Sequence, residues 1–153
     1  MLIIEELYRL TEAFAKNGLE YAVCGGLAVA IHGRPRLTMD IDIVVAAQDI
    51  ERAAEISASV GFDDVSGWVH VPLNKLGICR LYRLNKISGV ELLTLDLLEA
   101  DSPKNAVFAD RETFDVEGRS IQSLSRTALI TMKRDSDRTK DRLDVELLND
   151  ESD

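Results

Sequence analysis

The sequence predicts an α/β (α+β) domain, a small mixed β-sheet flanked by helices. Stretches with apolar residues at three-to-four spacing alternate along the chain with short apolar runs, so helices and strands are interleaved. One of those runs, Leu37 to Val45, sets Met39, Ile41, Ile43 and Val45 against Asp40 and Asp42, the period of a strand. The chain has 153 residues, 46% hydrophobic and 29% charged, enough to bury one core without disulfide staples.

Leu2 to Lys16 reads as an amphipathic helix, with Leu2, Ile3, Leu7, Leu10 and Phe14 on one face and Asn17-Gly18 as its stop. Glu20 to Cys24 is a short apolar strand. Gly25-Gly26 reads as a turn, and Leu27 to His32 as a short helix ended by Gly33 and Pro35. After the strand Leu37 to Val45, Asp49 to Ser59 is a second amphipathic helix closed by Gly61. Phe62 to Val71 is an edge strand or hairpin. Gly77 to Leu84 and Val90 to Leu98 are strands joined by a turn near Asn85 to Gly89. Lys104 to Ala109 follows Ser102-Pro103 as a short helix. Thr113 to Val116 and Ser120 to Ser123 flank Glu117-Gly118, a hairpin signal. Ser125 to Arg134 and Asp137 to Leu148 are helices. Neither a repeat nor a linker interrupts this order, so residues 1–153 form one domain, with C-terminal helices from about 125 to 148 packed on it.

Charge narrows the function. With 18 Lys and Arg against 27 Asp and Glu, the net charge is −9, which argues against a long duplex nucleic acid as partner. Cys24 and Cys79 have no CxxC spacing, and His32 and His70 are the only histidines, so neither a disulfide nor a His-rich zinc site is expected. No apolar run approaches the ~20 residues of a membrane span, and Glu5 and Glu6 interrupt the apolar start. A cytoplasmic protein is expected.

The chemistry concentrates between Cys24 and Asp42. Asp40 and Asp42, two apart on a strand, share a face, where two carboxylates repel unless a cation neutralises them. Oxygen-only ligands favour Mg²⁺ or Mn²⁺. Gly25 and Gly26 precede a helix whose first N–H groups can meet phosphate, and Arg34 and Arg36 lie between cradle and strand.

This Gly-Gly turn, short helix and hydrophobic-Asp-hydrophobic-Asp-hydrophobic strand resembles the signature of the nucleotidyltransferase superfamily with the DNA polymerase β-like fold. Within it, Gly25-Gly26-Leu27-Ala28, His32-Gly33-Arg34 and Arg36-Leu37-Thr38-Met39-Asp40-Ile41-Asp42-Ile43 most resemble the small prokaryotic branch related to AbiEii and toxin–antitoxin proteins. The strong likeness covers Tyr21 to Val45, with a weaker one over Ala128 to Leu148. The resemblance implies a minimal nucleotidyltransferase fold and metal-dependent transfer of an NMP from an NTP to an acceptor hydroxyl, with release of pyrophosphate. It implies Mg²⁺ or Mn²⁺ on Asp40 and Asp42 and a third carboxylate, matched by Asp96, the one acid inside Leu92 to Leu98, with Glu91 or Glu99 as substitutes. It puts Gly25, Gly26, Arg36, Thr38, Lys133 and Lys140 at the phosphates, with Arg138 a further candidate. Where the family turn commonly has Ser after the glycines, this chain has Leu27. The acceptor stays open: tRNA, protein or small molecule, with a small partner protein as a further expectation. The alternative is a non-catalytic nucleotide- or partner-binding module, such as the antitoxin side of a toxin–antitoxin pair. Trp68, Tyr82 and His32 read as packing residues.

Overall fold

The structure, a computed structural model, describes residues 1–33, 39–136 and 145–149. Its element order is α1 (Ile3–Lys16), β1 (Ala22–Cys24), α2 (Gly25–Ile31), β2 (Asp40–Ala46), α3 (Ile50–Ser59), β3 (Asp64–Leu73), β4 (Ile78–Ser88), β5 (Glu91–Ala100), α4 (Ala106–Ala109), β6 (Arg111–Val116), β7 (Arg119–Leu124) and α5 (Arg126–Ser136). Residues 145–149 are helical, and residues 137–144 of the expected last helix lie outside the described residues.

Among the described residues the strands form one mixed sheet in the order β3-β4-β5-β2-β1-β7-β6. β2 and β5 lie side by side and parallel near the middle. Helix α1 buries Leu7, Leu10 and Phe14 and packs with α3 on the sheet face that carries Ile41, Ile43, Leu95 and Leu97. Helix α5 lies with α2 and α4 on the other face. A central strand covered on both faces must be apolar on both, so a polar residue there needs a reason. Among the described residues no helix is long and apolar enough to cross a membrane.

Several elements depart from the sequence reading. Gly25 and Gly26 open α2 rather than forming a turn ahead of it. The β4 strand runs to Ser88, so the expected turn near Asn85 to Gly89 shrinks to Gly89-Val90. Tertiary partners hold the residues in between. Asn85 donates to Asp64 and Ser66 and accepts from Thr94, while the Lys86 ammonium bonds Glu6 of α1 at 2.7 Å. Phe62 to Val71 resolves into β3, an edge strand with two register irregularities. The Glu117-Gly118 turn is as expected, both residues having positive φ, 52° and 79°.

Candidate active site

The register of the sheet builds the site. Asp42 of β2 lies opposite Asp96 of β5, Asp96 lies opposite Arg83 of β4, and Asp42 lies opposite Cys24 of β1. Residues in register project to one face, so Arg83, Asp96, Asp42 and Cys24 form a single rung across four strands. One rung toward the start of β2 stand Asn85, Thr94 and Asp40. One rung the other way stand Leu81, Leu98 and Val44. The face therefore passes from apolar to acidic within three rungs.

A cavity of about 360 Å³ opens over this face. Gly25, Asp40, Asp42, Asp96 and Arg83 line its polar side. Strand β3 contributes Val69 and Val71, and α5 closes the cavity with Leu129, Met132, Lys133 and Ser136. Asp40 is exposed, Asp42 half-buried and Asp96 buried. The Arg83 guanidinium donates to both oxygens of Asp96, Nε at 2.8 Å and Nη2 at 3.0 Å. This bidentate bond, more than the surrounding charge, raises the Arg83 pKa above its ordinary value against the effect of burial. Asp40 and Asp42 add to that rise, so the guanidinium sits in the field of all three carboxylates.

Asp42 is pressed against the start of α2. Gly25 has φ +66°, and a Cβ built there would lie 2.2 Å from Oδ2 of Asp42. Only glycine leaves room for the carboxylate at this point. The N-cap residue Cys24 makes no side-chain bond to the first turn. Gly26 and Leu27 follow inside the helix, both buried, and Leu27 belongs to the hydrophobic core.

The structure thus brings together Gly25, Asp40, Asp42, Asp96 and Lys133 of the residues expected from sequence. Arg36, Thr38 and Lys140, with Arg34 and Arg138, lie outside the described residues. The two substitutes for Asp96 are engaged elsewhere: Glu91 with the N-terminal ammonium of Met1 at 2.7 Å, and Glu99 with Arg80 at 2.9 Å. Arg83 is the residue that sequence reasoning missed. His32 bonds the Leu124 carbonyl and packs on Phe114, and Trp68 packs on Tyr82, as expected of packing residues.

The oxygen donors and the space beside them suit a hard divalent cation at Asp40 and Asp42. Among the described residues, however, no three His, Cys, Asp or Glu side chains form a ready-made cation site. Asp96 has both its oxygens turned to Arg83.

Cys24 closes the rung as a neutral group. Burial pushes its thiol well above the ordinary range, Asp42 adds to this, and Lys133 opposes it. Cys79 is exposed. A thiol reagent at pH 8 is expected to label Cys79 alone in the native protein and both cysteines after denaturation. Labelling of Cys24 in the native state at the rate of Cys79 would show that the rung is open to solvent.

Among the described residues, the mixed seven-stranded sheet flanked by helices has the fold of solved nucleotidyltransferase structures. No family model and no curated protein matches the chain. Solved structures do. The lincosamide antibiotic adenylyltransferase LnuA, with lincomycin bound, matches at a TM-score of 0.66 and 17% identity, over 95% of both chains. ANT(2")-Ia in complex with adenylyl-2"-tobramycin matches at 0.63 and 18% identity, over 95% of this chain and 86% of that one. A Thermotoga maritima protein assigned as a nucleotidyltransferase matches at 0.59 and 17% identity, over 98% and 96%.

Proposed function

We propose that the chain is a nucleotidyltransferase that moves an NMP from an NTP to an acceptor hydroxyl and releases pyrophosphate. The observation that carries this reading is the placement of Asp40, Asp42 and Asp96 on one cavity wall beside Gly25. Asp40 and Asp42 would hold Mg²⁺ or Mn²⁺, which when bound supplies charge neutralisation at the triphosphate and the attacking oxygen. Asp96 orients the acceptor hydroxyl and takes its proton. The hydroxyl oxygen forms a bond to the α-phosphorus as the bond to the pyrophosphate oxygen breaks in line. Lys133, which lines the same cavity as Gly25, and the first N–H groups of α2 would meet phosphate oxygens.

The apolar rung beside the carboxylates, with Val69, Leu81, Leu98 and Met132, suits the carbon frame of a small acceptor. Two observations favour a small hydroxylated molecule over tRNA or a protein. LnuA and ANT(2")-Ia, which share the fold, are described with lincomycin and with adenylylated tobramycin. The net charge of −9 makes this chain a poor surface for a polyanion.

The test supplies each α-labelled NTP with Mg²⁺, the purified protein and a small-molecule fraction of cell lysate. Label is expected in a small product, with one pyrophosphate released per label transferred. Binding of NTP without label in any product would favour the non-catalytic binding module instead.

A further inference from the structure

We propose that Arg83 is a built-in counter-cation of the carboxylate cluster, a positioning residue that holds Asp96 beside Asp42 and limits how tightly the cluster takes a divalent ion. This rests on the cation-binding part of the function proposed above. The geometry is that of a fork. Two N–H groups reach two oxygens at 2.8 and 3.0 Å, in register across adjacent strands, with the Asp96 side chain 8% exposed and that of Arg83 38% exposed. A buried carboxylate next to a second carboxylate is costly unless a cation pairs with it. Arg83 meets that need from within the chain. Its charge is also felt by Asp40 and Asp42.

Two consequences follow. Loss of the fork leaves Asp96 buried and unpaired, so the protein without metal becomes less stable. A divalent ion approaching Asp40 and Asp42 meets a positive charge already in place, so loss of that charge strengthens cation binding. A unit charge at this range acts through a dielectric well below that of water, and about tenfold or more in affinity is expected. Lysine keeps the charge but not the planar fork. It should restore cation affinity to near the wild-type value while recovering stability only in part.

The experiment measures Mn²⁺ affinity by electron paramagnetic resonance, and melting temperature without metal, for wild type, Arg83→Met, Arg83→Lys and Asp40→Asn/Asp42→Asn. The expected result is Mn²⁺ binding at least tenfold tighter in Arg83→Met, near wild type in Arg83→Lys and lost in the double variant. Equal or weaker binding by Arg83→Met, with normal binding by wild type, overturns the role of Arg83 and leaves the proposed transfer reaction standing. Absence of Mn²⁺ binding in every protein overturns both. Should Arg83→Met fail to fold, the Arg83 Nε–H resonance of the wild type decides. It is expected to shift as Mg²⁺ saturates the site, and a resonance that stays in place overturns the proposal.

Discussion

Replacing Asp40 and Asp42 together by asparagine is expected to abolish NMP transfer while leaving the fold intact. Asparagine keeps the size of aspartate and removes its charge. The site then has no anionic pair for a divalent cation, and the triphosphate loses the charge neutralisation it would receive there. A loss of roughly 4 kcal/mol of transition-state stabilisation is about a thousandfold in rate. The protein without metal should melt at or above the wild-type temperature. Asp40 is exposed, so solvent screens its charge. Asp42 lies directly opposite Asp96, and like charges across a strand pair are destabilising. The bidentate bond between Arg83 and Asp96 uses neither substituted side chain and is expected to persist. A scaffold role for the two aspartates makes the opposite forecast: a lower melting temperature, with the folded fraction still transferring label at the wild-type rate. Paired melting curves and labelling rates separate the two.

The acidic pair was legible because a strand has period two, so Asp40 and Asp42 had to share a face whatever their neighbours were. Asp96 was legible through the resemblance, which implies a third carboxylate on a later strand, and it is the one acid within an apolar run. Arg83 was not, and the cause is a turn. Arg80 and Arg83 look alike in sequence, and which of them meets Asp96 depends on the length of the β4–β5 connection. A five-residue turn at Asn85 to Gly89 pairs Arg83 with Glu91. The two-residue turn at Gly89-Val90 pairs it with Asp96. Asn85 and Lys86 looked like turn residues because their partners, Ser66 and Glu6, are distant in sequence. Gly25 was singled out as a phosphate cradle, and the structure adds a contact with Asp42. Its freedom of φ can be read from a Gly-Gly pair, while its contact with Asp42 needs the antiparallel pairing of β1 and β2.

That contact leads to the second large effect. Gly25→Ala is expected to lower both stability and transfer, through two separable terms. The backbone term comes from φ +66°, which costs an L residue about 1–2 kcal/mol. The steric term comes from the added Cβ, which would fall 2.2 Å from Oδ2 and 2.9 Å from Cγ of Asp42. No real contact is that short, so either α2 retreats or the carboxylate turns away from its rung. Displacement of a catalytic group by about 1 Å can cost about a hundredfold in rate, and transfer should fall by at least that much. Asp42→Ala removes Oδ2 and Cγ and leaves only its Cβ at 3.0 Å, so a double-mutant cycle resolves most of the steric term from the backbone term. With Asp42 intact, Gly25→Ala should cost both terms. In the Asp42→Ala background it should cost the backbone term and a much smaller steric one, leaving a coupling energy of about 1 kcal/mol or more by denaturant unfolding. Equal costs in the two backgrounds would mean that the glycine serves only its own backbone, and that the position of Asp42 does not depend on the start of α2.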